Sequence, residues 1–383
     1  MGINDAKARE AGLGHYLRAV ALDSNFVQAW LRVAMVKAAG FRDKPTAATR
    51  AQTLLAVERV RKLAPGSTSA HLAMALYQRS VTKEFKAAYD ELAAALRSDA
   101  NNADLLTTTA QSESQLGLFD SALVHIRQAQ RLDPKSIATS RQLAMTYGYL
   151  RRYSEALAEW DRLLGMSPSN LDAIQAKVKT QLLMGNMPGA KRTIAEALTH
   201  VDSTALGIRF AYYLEMMWVL DPPLLRKIAA AKPADFYKDP GMGALKIGRT
   251  LLLLGDTVRG RAWGDTALRY VNPQAKENPD DAQLTEIRGR ANALAGRRDE
   301  AISDAERSMA LRETSLDAIN GPYYRFQVAR ILLQAGENDR ALSLLEPLLA
   351  TPAADVTPGW LRLDPNFAPL RNNPRFQRIV RGR

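Results

Sequence analysis

Metal binding, nucleophilic attack and phosphate cradling each need particular residue types at particular spacings, and this chain of 383 residues supplies few of them. His15, His71, His125 and His200 stand far apart, with no HExxH pair to set two imidazoles on one helix face. Cysteine is absent, which removes disulfides, thiolate nucleophiles and Cys-ligated zinc together. No G-x-x-x-x-G-K-[ST] loop occurs. Gly241-Met242-Gly243 precedes a helix but follows no strand, so it lacks the context of a dinucleotide site. G-x-S-x-G is missing too, and acidic pairs such as Asp280-Asp281 fall in polar loops rather than apolar pockets. The pattern predicts no catalytic residues, no metal and no cofactor. What remains is binding.

Composition fits a folded chain, at 46% hydrophobic and 24% charged residues. The formal charge of +12 is spread along the sequence rather than massed in a block, so it favours acidic partners without marking a site. No apolar run is long enough to span a bilayer; the richest, Ala211 to Leu220, is interrupted by Glu215. The first residues, MGINDAKARE, hold no apolar signal region, and Ala6 stands where a myristoylation site wants Ser or Thr. These features predict a soluble, cytoplasmic chain with no membrane segment.

The elements that must position any binding residues are set by a repeat. Ala88, Ala122, Ala156 and Ala190 recur at 34-residue intervals, and their neighbours move in step. Between Ile137 and Asn170 the copy carries Leu143-Ala144 and Tyr147 on a first helix, Tyr153 at the turn, Ala156 and Trp160 on a second helix, and Pro168 at its end. Small residues let the paired helices approach, aromatics such as Trp160 and Phe119 fill the gap to the next pair, and proline ends the unit. Later copies are looser but keep a 12-residue separation between small residues, at Gly248/Gly260, Gly289/Ala301 and Ala329/Ala341. The spacing predicts a half-repeat and an irregular repeat with an insert over 1–68, four regular units over 69–204 and a degenerate one over 205–240. Three looser units follow over 241–353, then a capping segment over 354–383. Asp221-Pro222-Pro223 stands where the degenerate copy should turn, which predicts weak coupling there.

These residues resemble the tetratricopeptide (TPR) family, whose pattern W-x2-L-G-x2-Y, A-x3-F, P they follow. The resemblance implies an all-α, right-handed superhelical solenoid of antiparallel helix pairs that binds partners without catalysis. Residues 6–22 look like a second helix without its first, as though cut from a longer polypeptide. The tail WLRLDPNFAPLRNNPRFQRIV (360–380) resembles the end of TPR regions in bacterial multidomain signalling proteins, including Ser/Thr kinases, nucleotide cyclases and winged-helix regulators. Its Leu361, Leu363, Phe367, Leu370, Phe376 and Ile379 can cover the last repeat.

In that family, repeat positions 2, 5, 9, 12 and 13 line a concave groove. Carried across, the rule puts Arg141, Lys179, Arg209, Arg249, Arg290 and Arg330 at position 5 or 9, with Tyr149 and Tyr213 among them. Thr107, Gln111 and Gln115 lie towards the N-terminal half. Cations beside aromatic faces imply a protein partner offering an acidic or carboxylate-bearing peptide. The family's chaperone-binding clamp of Lys, Asn, Asn, Lys and Arg has no match; one register offers Ala73, Tyr77, Thr108, Ala138 and Gln142 instead. Single-stranded RNA is the competing partner class, through phosphate contacts and stacking, but no repeating reader pair accompanies the TPR spacing.

Overall fold

The computed structural model describes residues 6–41, 46–212, 214–312 and 317–381. Among these the chain is helical throughout, in the repeating helix pairs that the 34-residue period demands. It divides into two compact units, residues 1–146 and 147–383. Parts of the insert FRDKPT and of the connection ETSLDAIN, and Tyr213, lie outside the described residues.

Unit 1 holds α1 (Ala6–Leu22), α2 (Val27–Phe41), α3 (Ala47–Leu63), α4 (Thr68–Tyr77), α5 (Phe85–Ser98), α6 (Ala103–Gln115), α7 (Phe119–Leu132) and most of α8 (Ile137–Tyr149). A short π-helical turn, Gln78–Thr82, prolongs α4. Ser67 and Asn102 cap α4 and α6, each accepting a hydrogen bond from a first-turn N–H; such caps contribute about 1 kcal/mol. The core is built from Val33, Ala34, Ala56, Val57, Ala73, Ala88 and Leu92, all essentially without exposure.

Unit 2 continues with α9 (Tyr153–Met166), α10 (Leu171–Leu183), α11 (Met187–Ala197), α12 (Ser203–Tyr212), α13 (Pro222–Ala229), α14 (Pro240–Leu253), α15 (Thr257–Glu277) and α16 (Ala282–Ala295). It ends with α17 (Arg298–Arg312), α18 (Asn320–Gln334), α19 (Asn338–Ala350), α20 (Pro358–Leu363) and α21 (Pro374–Arg381). The extra length expected near residue 275 is taken up by α15, which runs on through Pro273 for 21 residues.

The small-residue positions behave alike in both units. Ala88, Ala122, Ala156, Ala190, Ala301 and Ala341 are each fully buried. The reason is clearest where the residue is glycine. A Cβ on Gly248 would lie 2.8 Å from the Gly260 carbonyl oxygen, and one on Gly260 would lie 3.0 Å from that of Gly248. The backbones of α14 and α15 therefore touch at this point. The turn between paired helices is just as regular: Gly117, Gly185, Gly255, Gly296 and Gly336 adopt φ between 76° and 84°. Lys83 and Arg151 hold the same turn position at φ 63° and 57°, where a side chain costs conformational energy.

The segment around Asp221-Pro222-Pro223, where the sequence predicts weak coupling, packs its apolar side chains into the interior. Phe210, Met216, Ile228 and Phe236 are completely buried in the main core of unit 2. Pro222 starts α13, where a missing N–H costs nothing.

Gly248→Ala is expected to force α14 and α15 apart, because the new methyl meets the Gly260 carbonyl oxygen and the Trp263 Cβ, each at 2.8 Å, as well as the movable end of Leu294. Denaturant unfolding should show a loss of about 1–3 kcal/mol, the usual cost of overpacking.

Candidate functional site

The predicted groove residues of unit 2 come from the first helix of successive pairs. Lys179 lies on α10, Arg209 on α12, Arg249 on α14, Arg290 on α16 and Arg330 on α18. Arg249, Arg290 and Arg330 share repeat position 9, so stacking brings them into one column, and the structure does bring them together. What they meet belongs to the same chain. After α12 the backbone passes through Leu214 and Glu215 at φ 50° and 49° and enters a short 3₁₀ turn, Met216–Val219. This left-handed stretch aims the Glu215 carboxylate into the column.

Glu215 is 4% exposed and is held by cations from three helices. Its Oε1 accepts from Lys246 Nζ at 3.1 Å and from Arg290, and its Oε2 accepts from Arg330 Nη2 at 2.9 Å. Arg249 Nε stands 3.5 Å from Oε2. Arg330 also donates to the Leu214 carbonyl at 3.0 Å, tying the guanidinium to the backbone that presents the carboxylate. Burial by itself would raise the Glu215 carboxyl, but the fields of Lys246, Arg290, Arg330 and Arg249 hold it well below the usual carboxylate range. Behind Arg290, Glu286 binds Arg312, whose guanidinium lies 3.7 Å over the Tyr324 ring.

The C-terminal segment completes the occupation. Lys179 pairs with Asp355 at 2.8 Å, and Thr357 donates to the Leu183 carbonyl at 2.6 Å. Gly359 crosses so close to the end of α10 that a Cβ would stand 2.7 Å from the Gly185 nitrogen. Trp360 is fully buried, edge-on to Trp218, and donates its indole N–H to Asp364. Asn366 accepts from Arg249, and Phe367 stacks between Phe326 and Phe376. Arg151 donates to the Leu348 and Thr351 carbonyls at 3.3 and 3.0 Å, and Ala353 N–H donates to the Tyr149 carbonyl. Unit 2 thus begins and ends against itself. The tail covers more than the last repeat, reaching back to α10.

Arg290 and Arg330 are buried and committed to Glu215, out of reach of a partner. Arg249 is largely enclosed between Glu215 and Asn366. Lys179 and Arg209 are partly exposed, each in an ion pair, Arg209 with Asp172 at 2.9 Å. Tyr149 is buried; Arg141 is half-buried on α8. Tyr213 lies outside the described residues. Sequence reasoning missed Glu215, Lys246 and Arg151 as participants. Glu215 had a signal, since it is the lone charge in its apolar run.

Unit 1 presents a different inner face. Gln111 accepts from Arg79, while Thr107 and Thr139 share a buried hydroxyl contact at 3.0 Å. Gln111, Gln115 and Thr108 are half-exposed along α6. Two histidines serve packing: His71 meets Glu91 at 2.6 Å and His125 meets the buried Glu113 at 2.8 Å. Among the described residues no three His, Cys, Asp or Glu side chains gather as metal ligands, and no helix is long and apolar enough to cross a membrane.

No family model matches the chain. It is 27% identical over 311 residues to the mouse (Mus musculus) Superkiller complex protein 3, covering 72% of this chain but only 20% of that protein. The chain thus spans about one fifth of that relative's length. Among solved structures, a monomeric IFIT1 mutant with m7Gppp-AAAA aligns with a TM-score of 0.50 at 13% identity, over 80% of this chain and 68% of that one. YrrB, described as a TPR protein with an unusual peptide-binding site, aligns at 0.35 and 17%, over 48% and 91%. The IFIT1 likeness shows the fold, an all-α helical repeat of the TPR-like kind.

Glu215→Gln should be severe, because it leaves buried cations without their shared anion. Thermal or denaturant unfolding is expected to show a loss of about 3–5 kcal/mol, the range for breaking one side of a buried ion pair.

Proposed function

We propose that this chain is a non-catalytic interaction module of a bacterial signalling or assembly system, and that it takes a protein or peptide partner along the first-helix face of unit 1. One observation carries the choice of unit: in unit 2 the groove cations already hold the chain's own Glu215 and Asp355. In unit 1 the corresponding face offers Thr108, Gln111 and Gln115, half-exposed, with Arg79 and Arg141 in the neighbouring repeats. Side-chain amides and hydroxyls both donate and accept, which suits the main chain of an extended peptide, and arginines add preference for a carboxylate. YrrB is described as peptide-binding, in keeping with this reading. IFIT1 is described with a capped RNA, which makes RNA the reading to test against.

Affinity capture with the full chain tests the proposal. A Gln111→Ala, Gln115→Ala, Arg141→Glu variant is expected to weaken partner binding at least about tenfold, or 1.4 kcal/mol, with helicity unchanged. A Lys179→Glu, Arg209→Glu variant should keep the partner. The opposite ranking would move the site to unit 2. Loss of capture on nuclease treatment, with stoichiometric competition by an RNA homopolymer, would replace the peptide with RNA.

A further inference from the structure

The network around Glu215 is out of charge balance. Among the described residues, Lys246, Arg249, Arg290 and Arg330 gather on Glu215, and Glu286 is shared by Arg290 and Arg312. The tail contributes Asp364, which acts on Arg249 from a distance while bound to Trp360 and Asn366. Tyr323 of α18 lies near Arg290. Among the described residues, these are the charged and titratable groups that the 214–219 turn, α14, α16, α17, α18 and the tail bring to the site. Even with Asp364 counted, cations exceed carboxylates inside the protein, where each uncompensated charge costs several kcal/mol.

Donors exceed acceptors as well. Arg249 Nε, Arg330 Nε, Gln327 Nε2 and Trp218 Nε1 are buried with no hydrogen-bond acceptor. Gln327, Arg330 and Gln334 lie at i, i+3 and i+7 on α18, one stripe of that helix. Gln334, with its amide oxygen turned inward, accepts from Arg249 at 2.8 Å.

A guanidinium cannot shed its proton in a protein; an amine can. Lys246 is the single amine of the network and is wholly buried. As an ammonium it would carry three protons towards one acceptor, Glu215 Oε1, which Arg290 already engages. We propose that Lys246 is a neutral amine in the folded protein at slightly alkaline pH, and that its protonation is an acid-operated release for the packing of α14, α16 and α18 around Glu215. The excess of positive charge then falls by one, and Glu215 keeps its three guanidinium contacts. Taking up a proton restores the excess at the point where those three helices meet.

The direction of the pH effect follows from the same groups. Burial first, with Arg290 and Arg330 adding to it against Glu215, brings the Lys246 amine from 10.5 down to about 7. Above pH 7 the unfolded chain therefore binds a proton that the folded chain lacks. Stability gains from Lys246 as pH rises from 7 towards 10.5, and the gain is absent below 7. Glu215, with its low value, contributes to pH dependence only in acid.

Denaturant unfolding of the full chain between pH 6 and 9 provides the test. Wild-type unfolding should become less favourable by up to about tenfold per pH unit above 7. Lys246→Met should lose that slope and be more stable than wild type at pH 6. Lys246→Arg, permanently charged, should also lose it, with a lower Tm at pH 8. If the variants fail to fold, the lysine ε-methylene resonances of the wild-type chain decide, because one of them should titrate near pH 7. The proposal is overturned if Lys246→Met keeps the wild-type slope, or if no lysine resonance titrates below pH 9.

Discussion

One buried carboxylate organises unit 2. Glu215 receives Lys246 from α14, Arg290 from α16 and Arg330 from α18, with Arg249 close by. None of the three guanidinium groups could be buried alone, since an unpaired charge in a low-dielectric interior costs more than a side chain's worth of apolar burial returns. The geometry requires two successive residues, Leu214 and Glu215, in the left-handed region, a strain of order 1–3 kcal/mol each for non-glycine residues. That strain persists because the alternative is three helices with charged inner faces and nothing between them.

The tail answers a different problem. Open helical arrays leave a terminal pair with one apolar face uncovered. In unit 2 that face is closed by Trp360, Phe367, Leu370 and Phe376, all deeply buried. Each contributes on the order of 1.5–3 kcal/mol by removal from water, so the segment behaves as core rather than as a removable occupant. Arg151 belongs to the same closure. It occupies a turn position that is glycine in five other repeats, and its guanidinium ties that turn to the carbonyls of Leu348 and Thr351. A glycine there would suit the backbone and leave the turn without that tie.

The helix pairs were legible because close helix packing demands small residues at fixed intervals, and Ala156 or Gly248 has no substitute at its contact. The column of position-9 arginines was legible for the same reason: equal positions in stacked repeats must align. Their partner was harder to read, because Glu215 lies where the repeat fails and no period predicts a left-handed turn. Asp221-Pro222-Pro223 reads as an interruption, yet Asp221 and Pro222 simply start α13 while the residues before them fill the core. The tail's apolar residues were visible, but their reach back to α10 depends on Gly359 fitting against Gly185, a contact between segments far apart in sequence.

Periodicity itself creates the need for the irregular copy. A repeat that places arginine at the same inward position in α14, α16 and α18 accumulates like charge along one line, and each added pair raises the repulsion on the others. Relief has to come from a segment freed from the period, able to bring an anion inward at a different height and angle. Residues 214–219 do this, replacing a second helix that would have begun there with a turn that delivers Glu215. The degenerate repeat is therefore the element on which the regular ones around it depend.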